Sequence, residues 1–127
     1  MNETRFNELV NKIKSEYDQI KEVLLLNPTG DIIYKSEEFP IDENETKGLL
    51  DSWKNMKSSL NFMGNRYVIL KWDDIQLAAK NIGGKGNICG SITPEGDYFV
   101  AHIEDSENTL LLIEWSIMVN KLVWDKD

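Results

Sequence analysis

The sequence predicts an α+β fold: one antiparallel sheet, with the N- and C-terminal helices packed together on one face and a middle helix on the other. Three observations predict it. Apolar residues recur at helical spacing near both ends of the chain, at Phe6, Leu9, Val10, Ile13, Tyr17 and Ile20, and again from Leu111 to Val123. Between them the pattern changes to short apolar runs separated by Gly-, Asn- and Asp-rich turns. At the centre lies Gly64–Asp74, which reads as a buried strand because Tyr67 to Leu70 has no polar break. Gly64-Asn65 suits the tight hairpin turn before this strand, and Asp73-Asp74 turns the chain after it.

The first helix is expected over residues 4–20, capped by Asn2 or Thr4, with Glu8, Asn11, Lys12, Ser15 and Asp18 covering its polar side. Val23–Leu26 and Asp31–Lys35 read as two strands, because Pro28 starts and Gly30 finishes the turn Asn27–Gly30 between them. After a linker at residues 36–41, Asp42 caps a second helix, with Glu43 and Glu45 in its first turn near the positive end of the helix dipole. Leu49, Leu50, Trp53 and Met56 form its apolar side, and Gly48 weakens it. A meander of four or five strands follows, built on residues 60–63, 66–72, 75–80, 87–92 and 97–103. Gly83–Gly86 reads as a hairpin tip, since the spacing and the Ser/Thr of a phosphate-binding loop are absent.

The closing helix starts after Asp105 or Ser106 and runs to Trp124. Leu111, Leu112, Trp115, Met118, Val119, Leu122 and Val123 form a broad stripe assigned to the sheet. Leu110, Ile113, Ile117 and Trp124 form a narrower one, assigned to the first helix.

Composition sets the outer limits. The 127 residues suffice for one domain with a real core, and 41% hydrophobic and 28% charged content is ordinary for a soluble protein. A net charge of −8 argues against nucleic acid as the main partner. The charge is uneven, because Gly64–Gly90 carries Arg66, Lys71, Lys80 and Lys85 against Asp73 and Asp74. Cys89 is the only cysteine, which excludes an internal disulfide and fits the reducing cytoplasm; within an apolar strand it reads as a small buried hydrophobe. No run is long and apolar enough for a transmembrane segment, and the N-terminus has no signal-peptide core.

No constellation reads as catalytic, and neither a metal site nor a cofactor is expected. His102, the single histidine, sits at a strand end, where a structural or surface imidazole is the default. Glu104, Asp105 and Glu107 cluster beside a helix start, where they act as caps and dipole partners.

The order of elements and several motifs resemble the profilin family across nearly the whole chain. The residues carrying the resemblance are Thr29-Gly30-Asp31-Ile32-Ile33-Tyr34, Asn44-Glu45, the stretch Leu60–Lys71, and Val100-Ala101-His102 before a long closing helix. The resemblance implies a cytoplasmic, cytoskeleton-associated protein, monomeric when free, that binds monomeric actin and regulates its polymerisation. By position it implies contacts from Arg66, Ile69, Lys71 and Lys80 on the sheet and from Thr109, Ile113 and Glu114 on the last helix. A basic patch facing an acidic partner surface agrees with this, although two solvated charges flanking a strand is nearly as good an account of Arg66 and Lys71. These two lie five positions apart, so strict alternation places them on opposite faces, and a bulge, or strand ends that both reach the rim, is needed.

The resemblance also implies a groove for proline-rich peptides, with Phe6, Tyr34 and Trp124 near the expected places. Here the chain departs from the family: residues 1–5 contain no aromatic, the first helix is longer than usual, and Trp124–Asp127 differs from the usual ending. Core packing is the better account of Phe6 and Trp124. Phosphoinositide binding is implied as well, and the charge of −8 counts against it. The departures, with a Lys-, Asn- and Ile-rich composition, point to a divergent member of archaeal type.

A different class shares these features. Roadblock and longin-like domains combine a small sheet with flanking helices and act as dimeric scaffolds for small GTPases; a stable homodimer separates them from a monomeric actin binder. A PAS-type sensory domain is a third reading, and it requires a cavity that Trp53, Trp72 and Trp115 are expected to fill.

Overall fold

The computed structural model describes residues 1–104 and 109–125, without the side chains of Lys71, Trp72, Thr109, Leu110, Leu111 and Ile113. The elements run α1 (Glu3–Glu16), β1 (Ile20–Leu26), β2 (Ile32–Lys35), α2 (Glu43–Lys54), β3 (Ser59–Phe62), β4 (Asn65–Trp72), β5 (Gln76–Lys80), β6 (Asn87–Ile92), β7 (Tyr98–Ile103) and α3 (Thr109–Trp124). All seven strands form one antiparallel sheet in the order β2-β1-β7-β6-β5-β4-β3.

Alternation along the strands divides the core in two. Val23, Leu25, Ala78, Cys89, Phe99, Ala101 and Ile103 face α1 and α3. Leu24, Leu26, Leu77, Ala79, Ile88 and Val100 face α2, together with Tyr67 and Ile69. The terminal helices therefore share one face and α2 takes the other, as the sequence predicts. The sheet curls strongly on the α2 side: Phe62 of β3 and His102 of β7 lie four strands apart, yet their rings are 5.5 Å apart.

The helix starts obey local chemistry. Asn2 Oδ1 accepts from the backbone N–H of Arg5 at 2.8 Å, and Asp42 Oδ1 from that of Glu45 at 2.9 Å. The α1 stripe of Phe6, Leu9, Val10 and Ile13 is buried as expected.

Several expectations are corrected. Helix α1 ends at Glu16, because Tyr17 turns extended, and Ile20 opens β1 opposite Ile103 instead of closing the helix. Sheet pairing overrides a helical period at that point. Met56 lies beyond α2 with φ 55° and is 49% exposed, so it is not part of the helix's apolar side. On α3, Ser116 is fully buried while Ile117 and Trp124 are about half exposed. Ile117 and Trp124 of the second stripe are thus not buried against α1, and Leu110 and Ile113 lie outside the described side chains. Instead Tyr17 meets Trp115 edge-on at 6.0 Å, and the Arg5 guanidinium donates to the carbonyls of Leu122 and Asp125 at the end of α3. The expectation for Leu111 lies outside the described side chains.

Candidate partner-binding face

Helix α1 packs on β1, and α3 packs on β5 and β6. Strand β4 is therefore buried on its α2 side only, where Tyr67 is 1% and Ile69 9% exposed. Its other side is open, so the segment read as a buried strand is buried on one side. Arg66 is exposed, Val68 is half-buried and Leu70 is 45% exposed. Cross-strand pairing puts Val68 opposite Lys80, so these two residues share the open face with Arg66.

The register shifts between Ile69 and Lys71, leaving Leu70 as the extra residue of a β-bulge. Beyond it Lys71 pairs with Ala78. Ala78 belongs to the same side of β5 as Lys80, so the bulge returns the backbone at Lys71 to the phase of Arg66 and Val68. This is the device that the five-residue spacing requires. Ile69 does not join the set: it pairs with Ala79 on the α2 side and is core.

Helix α3 forms one border of the open face. Ser116 is anchored on β5, its hydroxyl 3.3 Å from both Gln76 Oε1 and the Leu77 carbonyl oxygen, while Glu114 and Ile117 are exposed. The side chains expected to contribute at Thr109 and Ile113 lie outside the described residues. Sequence reasoning missed Leu70 and Ile117, which are 45% and 49% exposed. A signal for Leu70 was present, since a strand with Tyr67 and Ile69 on one side must turn Leu70 to the other.

The β5–β6 loop adjoins this face and is pinned to it. Asn81 Nδ2 donates to the Arg66 carbonyl at 2.8 Å, and Asn81 Oδ1 accepts from the Lys85 N–H at 3.0 Å. Lys85 leads to a polar cluster over a cleft of about 450 Å³. His102 Nε2 is 2.8 Å from the Lys85 carbonyl oxygen, His102 Nδ1 is 2.7 Å from Glu22 Oε2, and the Tyr67 hydroxyl is 3.3 Å from both Nε2 and that carbonyl. Burial, aided by the Glu22 carboxylate, pushes the Tyr67 phenol up to about 12. Burial also pushes the Cys89 thiol well above its ordinary value, which suits a core residue.

Of the three aromatics expected to form a peptide groove, Phe6 and Tyr34 meet and Trp124 stands apart. Phe6 is fully buried, with its ring 5.5 Å from Tyr34. Trp124 lines a separate small cleft with Met1, Arg5, Pro94 and Glu95, and its Nε1–H donates to the Ile92 carbonyl at 2.9 Å. Among the described residues no group of acidic, His and Cys side chains forms a metal-binding cluster, and no helix is long and apolar enough to cross a membrane.

A seven-stranded antiparallel sheet that curls towards α2, with the two terminal helices together on its other face, defines the class: a small α+β domain of one sheet held between helices. Comparison with known proteins narrows it. The chain is 54% identical to Loki profilin-3 of Lokiarchaeum sp. (strain GC14_75) over 125 residues, covering 98% of this chain and 99% of that protein. It is 28% identical to Odin profilin of Odinarchaeota yellowstonii (strain LCB_4) over 91 residues, 63% of this chain and 74% of that protein. The chain belongs to the profilin family. No family model matches it. Among solved structures, LokiProfilin2 in complex with rabbit actin superposes with a TM-score of 0.75 at 18% identity, covering 95% of this chain and 96% of that one. A roadblock/LC7 domain from Streptomyces avermitillis reaches 0.54 at 12% identity, covering 95% and 98%. The shared sheet-and-helix plan thus extends to the rival class, but the higher sequence identity is with profilins.

Proposed function

We propose that this protein binds monomeric actin through the open face of β4 and β5 and the exposed flank of α3, and thereby regulates actin polymerisation. The observation that carries the reading is the uncovered side of β4, where exposed Arg66 and Leu70 lie beside half-buried Lys80. An apolar residue among cations in an otherwise acidic protein suits an acidic partner with an apolar centre. The family supports actin as that partner, since relatives of this fold, LokiProfilin2 and LokiProfilin1, occur in complexes with rabbit actin. Within this reading Arg66, Lys71 and Lys80 supply charge, Leu70 and Ile117 supply apolar contact, and Thr109, Ile113 and Glu114 border the site; Ile69 supports it from the core. The protein acts as a single non-enzymatic domain in the cytoplasm, associated with the cytoskeleton and monomeric when free.

A proline-rich peptide groove made from Phe6, Tyr34 and Trp124 is not part of the proposal, because Phe6 is core and Trp124 lines another cleft. The test is sedimentation of the protein alone and with monomeric actin. A free monomer that joins actin one to one supports the reading; a homodimer indifferent to actin moves it to the scaffold class. Arg66→Glu should weaken binding about tenfold or more while the melting temperature stays within a few degrees, as expected for a surface change. Unchanged affinity removes Arg66 from the site.

A further inference from the structure

The cluster around His102 has a proton requirement that its geometry states directly. Both acceptors facing the ring lack a proton to give: a carboxylate oxygen of Glu22 stands 2.7 Å from Nδ1, and the carbonyl oxygen of Lys85 stands 2.8 Å from Nε2. A neutral imidazole has one N–H and one lone pair. With the proton on Nδ1, the Nε2 lone pair opposes that of the Lys85 carbonyl; with the proton on Nε2, the Nδ1 lone pair opposes the carboxylate. Only the doubly protonated ring satisfies both contacts, through two charge-assisted hydrogen bonds. Tyr67 offers the alternative, because its hydroxyl, 3.3 Å from both Nε2 and the Lys85 carbonyl, can donate to either one.

The β5–β6 loop is held at this point through its backbone. The Lys85 carbonyl meets His102, the Lys85 N–H meets Asn81, and Asn81 N–H donates to the Gly86 carbonyl at 3.0 Å. Gly86 comes so close, with φ 101°, that a Cβ there would stand 2.1 Å from the Ile103 carbonyl oxygen and 3.0 Å from His102 Nε2. Around the ring, β1 contributes Glu22, β4 contributes Tyr67, the loop contributes Lys85, and Glu104 after β7 lines the same cleft and pairs with Lys21 at 3.8 Å. We propose that His102 is a proton-operated latch: as an imidazolium bridging Glu22 and the Lys85 carbonyl it holds the β5–β6 loop against the sheet, and on losing a proton it passes Nε2 to the Tyr67 hydroxyl and frees the loop. The loop begins directly after Lys80 and is bound to the Arg66 carbonyl through Asn81, so releasing it loosens the partner-binding face. This last consequence rests on the proposed actin reading.

Two measurements separate the latch from that reading. Amide exchange on the free protein, expressed as protection relative to the unfolded chain, reports the loop. Protection of the Asn81 and Lys85 amides should fall about tenfold or more between pH 5.5 and 8.5. Glu22→Gln should lower it already at pH 5.5, while His102→Gln, whose amide keeps a donor for the carbonyl, should remove the pH dependence. Imidazole nitrogen shifts should show both His102 nitrogens protonated when protection is high. Equal protection across the pH range, or the same pH dependence in His102→Gln, overturns the latch. Titration of monomeric actin at the two pH values then tests the consequence: weaker binding at pH 8.5 in the wild type but not in His102→Gln supports it, and pH-independent binding overturns it. Absence of actin binding at either pH refutes the proposed function, and the exchange result still decides the latch.

Discussion

Gly90 of β6 faces α2, and the space for a side chain there is already taken. A Cβ would lie 2.8 and 2.9 Å from two ring carbons of Trp53 and 3.3 Å from the Phe99 carbonyl oxygen. The Trp53 ring has little freedom to yield, since it is 2% exposed, donates through Nε1–H to the Asp73 carbonyl at 3.1 Å, and stands edge-on to Tyr98 at 5.1 Å. Gly90→Ala should therefore cost about 1–3 kcal/mol as overpacking, offset by roughly 0.4–1 kcal/mol from the stiffer unfolded chain. A net loss of about 1–2 kcal/mol corresponds to a drop of roughly 3–10 °C in Tm for a domain of this size. Urea denaturation of the single and double variants tests the cause. In a Trp53→Leu background both ring contacts are removed and the Phe99 carbonyl oxygen at 3.3 Å is the close neighbour left, so Gly90→Ala should cost clearly less, with a coupling of about 1–2 kcal/mol between the sites. Equal destabilisation in both backgrounds would refute the packing argument and leave backbone conformation as the cause. Actin affinity should not change, because Gly90 lies on the α2 side.

Three further outcomes are expected. Leu112→Ala should cost about 2–5 kcal/mol by denaturation, since Leu112 is fully buried between α3 and the sheet; a near-zero change would mean the helix face is wrongly assigned. Arg5→Met should cost about 1 kcal/mol and raise amide exchange in the last turn of α3, whose carbonyls the guanidinium caps. Absorbance at 295 nm should show Tyr67 ionising near pH 12. Because its folded value lies above the unfolded value of about 10, its contribution is complete below pH 10 and is lost as pH rises towards 12; Tyr67→Phe should remove that part of the alkaline decline.

What could be read from the sequence follows the range of the forces involved. The Asn27–Gly30 turn, the Asp42 cap and the strand alternation depend on neighbours a few positions away, and each is found where expected. Ile20 and Ser116 depended on distant partners. Ile20 fits a helical stripe equally well until β7 supplies Ile103, and Ser116 enters the core because Leu77 and Gln76 receive its hydroxyl. The candidate site divides in the same way. Arg66 and Lys80 stand out by charge in an acidic chain, whereas the open side of β4 arises from where α1 and α3 stop, which no local pattern records. Ile69 was misplaced because its position in the motif was weighed without its alternation with Tyr67.

The sheet order has a consequence for biosynthesis. β1 lies between β2 and β7, so the first long strand made by the ribosome waits for the last strand of this sheet to fill its second side. Until Tyr98–Ile103 emerges, Val23–Leu26 has only the short β2 hairpin as a partner, and α1 has no completed surface to settle on. Pairings between such distant segments slow the search for the native state, so closure of the domain waits until β7 has been made. A nascent chain stalled before β7 exposes the apolar face of β1, and its safe passage depends on how soon Tyr98–Ile103 arrives.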